Sequence, residues 1–204
     1  IINGNPLKSI NQYYNKERAR LQEEVKRKQN KYTSKKIEKL TFKRNNKIDG
    51  YLHKASRLLV NQLVSHTVGT LIIGKNTGQK QDTNNGKKNN QNFVCVPTFK
   101  FLFMVAYKAR LEGIEVVWQE ESYTSKASFL NGDEIPIYNK NNDEEYEFSG
   151  YRMNTHRGLY KIKGDKKYIN SDVNGSYNIL RKAIPNAFVE GIEGMGVCPV
   201  KLQV

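Results

Sequence analysis

Val68-Gly-Thr-Leu-Ile-Ile-Gly74 is a short continuous apolar run closed by glycine, and the periodicity of the 204-residue chain changes there. Such a run is the pattern of a strand buried on both faces. Upstream, apolar residues recur at helical spacing. Downstream, Phe99 to Leu111 is a strongly apolar helix with Gly113 placed to end it. Ile114-Glu-Val-Val-Trp-Gln-Glu-Glu121 alternates and then runs apolar, a second buried strand. The order helix, strand, helix, strand, helix predicts an α/β fold with helices covering a sheet.

Working back toward the start, Asn5-Pro6 marks a turn or an extended segment. From Ser9, a candidate cap, to about Leu40 the sequence is a charged helix with sparse apolar points. A break around Lys31–Lys35, followed by Asn45-Asn46, predicts a second helix from about Ile48 to His66. Charge is uneven: residues 1–66 hold 16 Lys and Arg against 5 Asp and Glu, whereas 67–204 hold 18 against 15. A localised positive field suits a polyanion, because neutralising phosphates releases counterions. Arg18, Arg20, Lys26 and Arg27 are the candidate contacts here, against the plainer alternative of a solvated helical face.

Beyond the first strand, Lys75 to Gln91 is a polar loop whose Lys75, Lys80, Lys87 and Lys88 suit either a nucleic-acid backbone or solvent. Phe93 to Val96 reads as a short extended piece. Residues 126–170 form a long insertion with an acidic stretch at Asp143–Glu147 and a hairpin of 159–162 with 167–170 around Gly164-Asp165. Asp172 or Ser171 is expected to cap a helix over 173–183, stopped by Pro185. The expected organisation is a basic helical hairpin (1–66), core strands and helix (67–125), the insertion (126–170), and a final helix and tail (171–204).

Cys95 and Cys198 are isolated, which supports neither a zinc site nor a disulfide framework and suggests free thiols in a reducing, cytoplasmic setting. No apolar run approaches the roughly 18 residues of a membrane span. The start, Ile-Ile-Asn-Gly-Asn-Pro, lacks a signal-peptide pattern and reads as a chain beginning mid-protein. Of His53, in a basic helix, His66, at a helix end, and His156, in the insertion, two are expected at structural or surface positions rather than in a catalytic role.

Two segments carry candidate chemistry. In Asp172-Val-Asn-Gly-Ser-Tyr-Asn-Ile179, Asp172 is either a helix cap or an open carboxylate. Asn174 and Asn178 lie four apart on one face, beside Gly175 and Ser176, small enough to admit a polyanion. In Gln119-Glu-Glu-Ser-Tyr-Thr-Ser-Lys126, two carboxylates end a buried strand, where they need a cation, a donor or water. Glu120 and Glu121 point to opposite faces, so at most one enters a given site. Carboxylates converging from separate elements bind hard divalent cations, and two such ions roughly 4 Å apart are a device for phosphodiester cleavage.

These segments resemble a known family. Asp172-x-Asn174-Gly-Ser-x-Asn178-Ile179 resembles the D-x-N-A-A-x-N-I signature that closes the RuvC-like nuclease of TnpB-type (OrfB) transposon proteins, relatives of type V CRISPR effectors. Tyr123-Thr-Ser-Lys126 resembles the segment opening that family's zinc-ribbon insertion, and Arg157-Gly-Leu159 the ribbon's return arm. Asn3-Gly-x-Pro-Leu-Lys-Ser-Ile-Asn-Gln-Tyr-Tyr14 resembles a stretch following the first catalytic strand in one branch. The likeness implies an RNase H-like (RuvC-type) sheet, DNA and guide RNA as partners, Mg2+ or Mn2+ as cofactor, and no membrane association. It also implies catalytic and metal-holding roles for Glu121 and Asp172, and nucleic-acid contacts for Lys75, Lys126, Asn174 and Asn178.

Three departures bear on activity. The family's first aspartate belongs to a strand that would precede Ile1, so cleavage by this chain alone is not expected. Its usual glutamate position reads Ile73-Gly-Lys-Asn76, without an acid; some relatives carry a displaced glutamate three residues before the Thr-Ser pair, where Glu121 stands, with Glu120 as fallback. The ribbon's cysteines are missing, since Ala127–Leu130 occupies the first pair and 152–171 offers no second, so no zinc is expected. Against an RNA-guided DNA endonuclease stand an inactive nucleic-acid-binding remnant and a basic structural protein in which Asp172 is merely a cap.

Overall fold

A computed structural model describes residues 1–76, 97–138, 145–153, 155–156, 158–191 and 196–204. Lys80, Lys87, Lys88, Phe93–Val96 with Cys95, Asp143, Glu144 and Arg157 lie outside the described residues. The chain divides into two compact units.

The first unit is helical. α1 (Asn5–Gln29) begins with Pro6 in its first turn, where the missing N–H costs nothing. It therefore starts ahead of Ser9, which is not its cap. It ends at Asn30, left-handed at φ 49°, whose N–H donates to the carbonyl of Lys26. α2 (Lys35–Ser65) is capped by Ser34, whose side chain accepts from the Ile37 N–H. The break expected around Lys31–Lys35 is present, but α2 runs unbroken through Asn45 and Asn46, so the second helix starts at Lys35 and not near Ile48. Both asparagines are exposed, and a low helix propensity of a few tenths of a kcal/mol each is outweighed by the buried stripe of Ile37, Ile48, Leu52 and Val60. α3 (Thr98–Leu111) groups with this hairpin rather than with the strands flanking it in sequence. Leu7, Ile48, Leu52 and Met104 form the core, with Ile10, Tyr51 and Phe101 against it; each such burial contributes roughly 1.5–3 kcal/mol. Lys108 is buried among these helices and donates to the His53 carbonyl at 2.8 Å and Ser56 Oγ at 2.6 Å.

The second unit holds the strands. β1 (Thr70–Lys75) and β2 (Glu115–Glu120) pair in parallel, with Gly74 opposite Gln119 and Lys75 opposite Glu120. A parallel pair needs a long crossover, and the intervening chain includes α3. β3 (Gly150–Arg152), β4 (Leu159–Ile162) and β5 (Tyr168–Asn170) form an antiparallel sheet in that order, so the expected hairpin around Gly164 gains a third strand. α4 (Ser171–Ala183) packs on β1 and β2 and also touches β4 and β5. Its cap is Asn170, whose side chain accepts from the Asp172 and Val173 N–H groups. This corrects the assignment of the cap to Asp172 or Ser171 and leaves the Asp172 carboxylate uncommitted to that duty. Phe129, Tyr160 and Ile169 are the buried core, with Phe129 stacked on Tyr177 at 4.5 Å and edge-on to Phe188 at 4.9 Å. The fold is mixed α/β with two small sheets.

Asp133 knots the insertion. Its Oδ2 accepts from the Ser128 N–H at 2.8 Å and the Ser149 N–H at 2.9 Å, and its Oδ1 from Ser149 Oγ at 2.6 Å. The Arg181 guanidinium donates to its carbonyl. Nearby, fully buried Tyr160 donates its hydroxyl to the Lys126 carbonyl at 2.6 Å; burial, and secondarily the Asp133 charge, push that phenol above the ordinary tyrosine range. One carboxylate thereby ties together two stretches of the single β2–β3 connection.

Candidate metal centre

β1 and β2 end side by side, and the two glutamates following that edge have different fates. Glu120 is committed. Its Oε2 lies 2.5 Å from Lys182 Nζ, and its Oε1 accepts from the Ser122 N–H at 2.5 Å. Lys182 also reaches the carbonyls of Ser122 and Pro136, each at 3.2 Å. Burial opposes ionisation of Glu120, but the hydrogen bonds from Lys182 and Ser122 outweigh it and hold the carboxyl below its ordinary range.

Glu121 is the uncommitted one. Its side chain is half-buried, and no hydrogen bond or ion pair reaches its carboxylate among the described residues. Burial, and then the neighbouring Glu120 charge, raise it above the usual carboxylate range. The carboxylate lies over Gly74: a Cβ at that position would collide with Glu121 Oε2 and sit 2.7 Å from Ile179 Cδ1. Gly74 thus provides the room that Glu121 fills. The following turn is strained, since Tyr123 sits at φ 63°, a left-handed conformation uncommon for a bulky residue. It is fixed by Thr124, which donates N–H and Oγ1 to the Glu121 carbonyl at 3.3 and 2.8 Å.

Asp172 is exposed in the first turn of α4, where the helix dipole favours a negative charge. It precedes Ile179 by seven residues, so it shares the helix face that meets Glu121, roughly 10 Å nearer the N-terminus along the axis. Two carboxylates give hard oxygen donors of the kind Mg2+ or Mn2+ prefers. Among the described residues, no three His, Cys, Asp or Glu side chains form a group able to hold a metal ion, so the donor set fits a divalent cation in part.

Asn174 and Asn178 are fully buried. Asn174 Nδ2 donates to the Ala127 carbonyl at 2.8 Å and its Oδ1 accepts from the Phe129 N–H at 2.9 Å. Asn178 Nδ2 donates to the carbonyls of Thr124 and Ala127 at 2.9 and 2.8 Å, and its buried Oδ1 has no partner among the described residues. This corrects their expected contact with nucleic acid: neither amide reaches the surface, and both fasten the loop carrying Glu121 to α4. Lys75 and Lys126 are exposed, the latter 5.8 Å over the Tyr123 ring. Arg18, Lys26 and Arg27 are exposed on α1, as is Arg20, which pairs with Glu17 at 3.1 Å. Lys182, Gly74 and Asp133 were not singled out from sequence; only Gly74 left a signal there, as a glycine where the family places an acid.

Comparison with known proteins shows what the chain is similar to. A family described as "probable transposase" (OrfB, IS605) matches residues 1–80, and one described as "Cas12f1-like, TNB domain" matches residues 99–179. A TnpB-like protein of Methanocaldococcus jannaschii is 28% identical over 121 residues, covering 59% of this chain and 43% of that protein. The chain is similar to the TnpB-type transposon proteins. Its fold resembles a chain in the cryo-EM structure of a Cas12f1–sgRNA–target DNA complex, with a TM-score of 0.54 at 19% identity over 82% of this chain and 40% of that one. The chain spans less than half the length of the relatives it matches. Among its described residues no helix is long and apolar enough to cross a membrane.

Proposed function

We propose that the chain forms the metal-holding part of a transposon-encoded, RNA-guided DNA endonuclease of the cytoplasm, built on an RNase H-like (RuvC-type) core. Glu121 and Asp172 hold Mg2+ or Mn2+ within it. The observation that carries this reading is the half-buried Glu121 carboxylate, unpartnered among the described residues and seated over Gly74. An acid in that position gains from a cation what it loses on leaving water. Lys182 holds Glu120 off as a structural ion pair, which favours Glu121 over its neighbour. The bound metal would activate water and stabilise the departing oxygen of a phosphodiester. The chain's own contribution is to fix the carboxylates: Thr124 and the Asn174–Asn178 pair hold the Glu121 loop, and Asn170 caps α4 so that Asp172 stays open. DNA and guide RNA are the partners, met by Lys75, Lys126 and the basic hairpin.

The test is cleavage of guide-matched DNA by the intact nuclease with its RNA and Mg2+. Glu121→Gln and Asp172→Asn should each abolish cleavage while leaving DNA binding in place, with Glu120→Gln retaining it. Cleavage undiminished in Glu121→Gln overturns the assignment. The lack of a three-acid cluster among the described residues favours a second reading, a nucleic-acid binder that does not cut. Guide-dependent binding without cleavage under Mg2+ or Mn2+ would establish it.

A further inference from the structure

A groove of about 450 Å³ runs between α1 and α2, away from Glu121 and Asp172 in sequence. Half-buried Ile10 and Leu40 give it apolar surface, Tyr13 and Tyr14 give it aromatic surface, and Lys43 and Lys47 bring charge. No acidic side chain lines it. Tyr13 is 62% exposed, a large ring left in water at the groove.

Its other side is pre-set. Thr41 Oγ1 donates to the Ile37 carbonyl at 2.9 Å, so the 3.0 Å contact with Tyr14 is donated by the Tyr14 hydroxyl. The Arg44 guanidinium lies 5.4 Å from the Tyr14 ring centroid. Buried Asn11 anchors that cation, accepting from Arg44 Nε and Nη2 at 2.8 and 2.6 Å. One Tyr face is thus covered by a fixed cation, while the neighbouring Tyr is open. Lys43 and Lys47 are one helical turn apart, roughly 6 Å along α2.

We propose that this groove takes one unpaired base of a single-stranded nucleic acid, stacked on Tyr13, with the adjoining phosphates on Lys43 and Lys47. Charge complementarity selects that occupant: a ring surface ringed by cations in a segment with 16 basic and 5 acidic residues suits a π-face carried on an anionic backbone. The inference rests on reading the hairpin as a nucleic-acid surface, and it does not depend on Glu121 or Asp172.

The experiment is fluorescence anisotropy of chain 1–204 with short single-stranded RNA and DNA oligomers, an abasic oligomer of equal length and a duplex, without divalent cations. Tyr13→Ala is expected to weaken single-strand binding about tenfold, Tyr13→Phe to leave it unchanged, and Lys43→Gln/Lys47→Gln to weaken it and flatten its salt dependence. The abasic oligomer and the duplex should show no Tyr13 effect. The arm with the larger Tyr13 effect, RNA or DNA, names the natural strand. Equal affinity of Tyr13→Ala and wild type, or an equal loss on the abasic oligomer, overturns the proposal. So does a wild-type dimer that Tyr13→Ala renders monomeric without changing affinity, because the occupant is then a second copy. Because no metal is present, a negative result here leaves the cleavage test of the metal centre standing.

Discussion

The carboxylate of Glu121 fills the space that a side chain on Gly74 would occupy. The two residues stand at the ends of adjacent parallel strands. Gly74→Ala must then displace either Glu121 or Ile179, at about 1–3 kcal/mol of overpacking. In a double-mutant cycle followed by thermal unfolding, that cost should shrink when Glu121 is already alanine. Additive costs would show that the two positions do not compete for space.

Asn174 and Asn178 supply three hydrogen bonds to the 124–127 carbonyls and accept a fourth from Phe129. Removing either leaves buried backbone groups unsatisfied, so Asn174→Ala and Asn178→Ala should each cost about 2–3 kcal/mol. Hydrogen exchange should quicken at residues 124–129 before it does elsewhere. Protection in that loop unchanged by Asn178→Ala would contradict the fastening role.

Asp133 gathers Ser128 and Ser149 onto one carboxylate. Asp133→Ala is expected to lower stability by about 2–4 kcal/mol, as buried hydrogen bonds to a charged group do, and to open residues 126–153 to proteolysis. Chelator treatment should leave the melting of this region where it was. A drop in its melting temperature with chelator would point to a metal staple instead.

Lys108 is lowered from the ordinary lysine range, first by burial and then by the Arg57 charge. Between that lowered value and the unfolded value near 10.4 the unfolded chain binds the extra proton, so stability rises with pH across this window. Denaturant unfolding should show that slope in the wild type and lose it in Lys108→Met. An identical pH dependence in both would remove Lys108 as its source.

β1, β2 and α3 were legible because a short apolar run and an apolar helix carry their own periodicity, as in Val68–Gly74 and Phe99–Leu111, whereas the short β3 left no such signal. The continuity of α2 was not, because Asn45 and Asn46 carry a local helix-breaking signal while the burial of Ile48 and Leu52 against α1 and α3 is a tertiary effect. Asn174 and Asn178 looked like an open polar face, since a buried amide is told from an exposed one only by the carbonyls it meets. Glu121 was favoured over Glu120 by motif spacing alone; Lys182, about sixty residues away, is what commits Glu120 to an ion pair.

The most direct test of the metal centre is Mn2+ titration of isotope-labelled chain 1–204, followed by paramagnetic broadening of backbone amides. Broadening is expected first at Gly74, Glu120–Ser122 and Ser171–Val173, and it should weaken with either Glu121→Gln or Asp172→Asn. Broadening confined to the acidic stretch around Glu145 and Glu147, and unaltered by Glu121→Gln, would contradict the assignment of Glu121 and Asp172 as ligands.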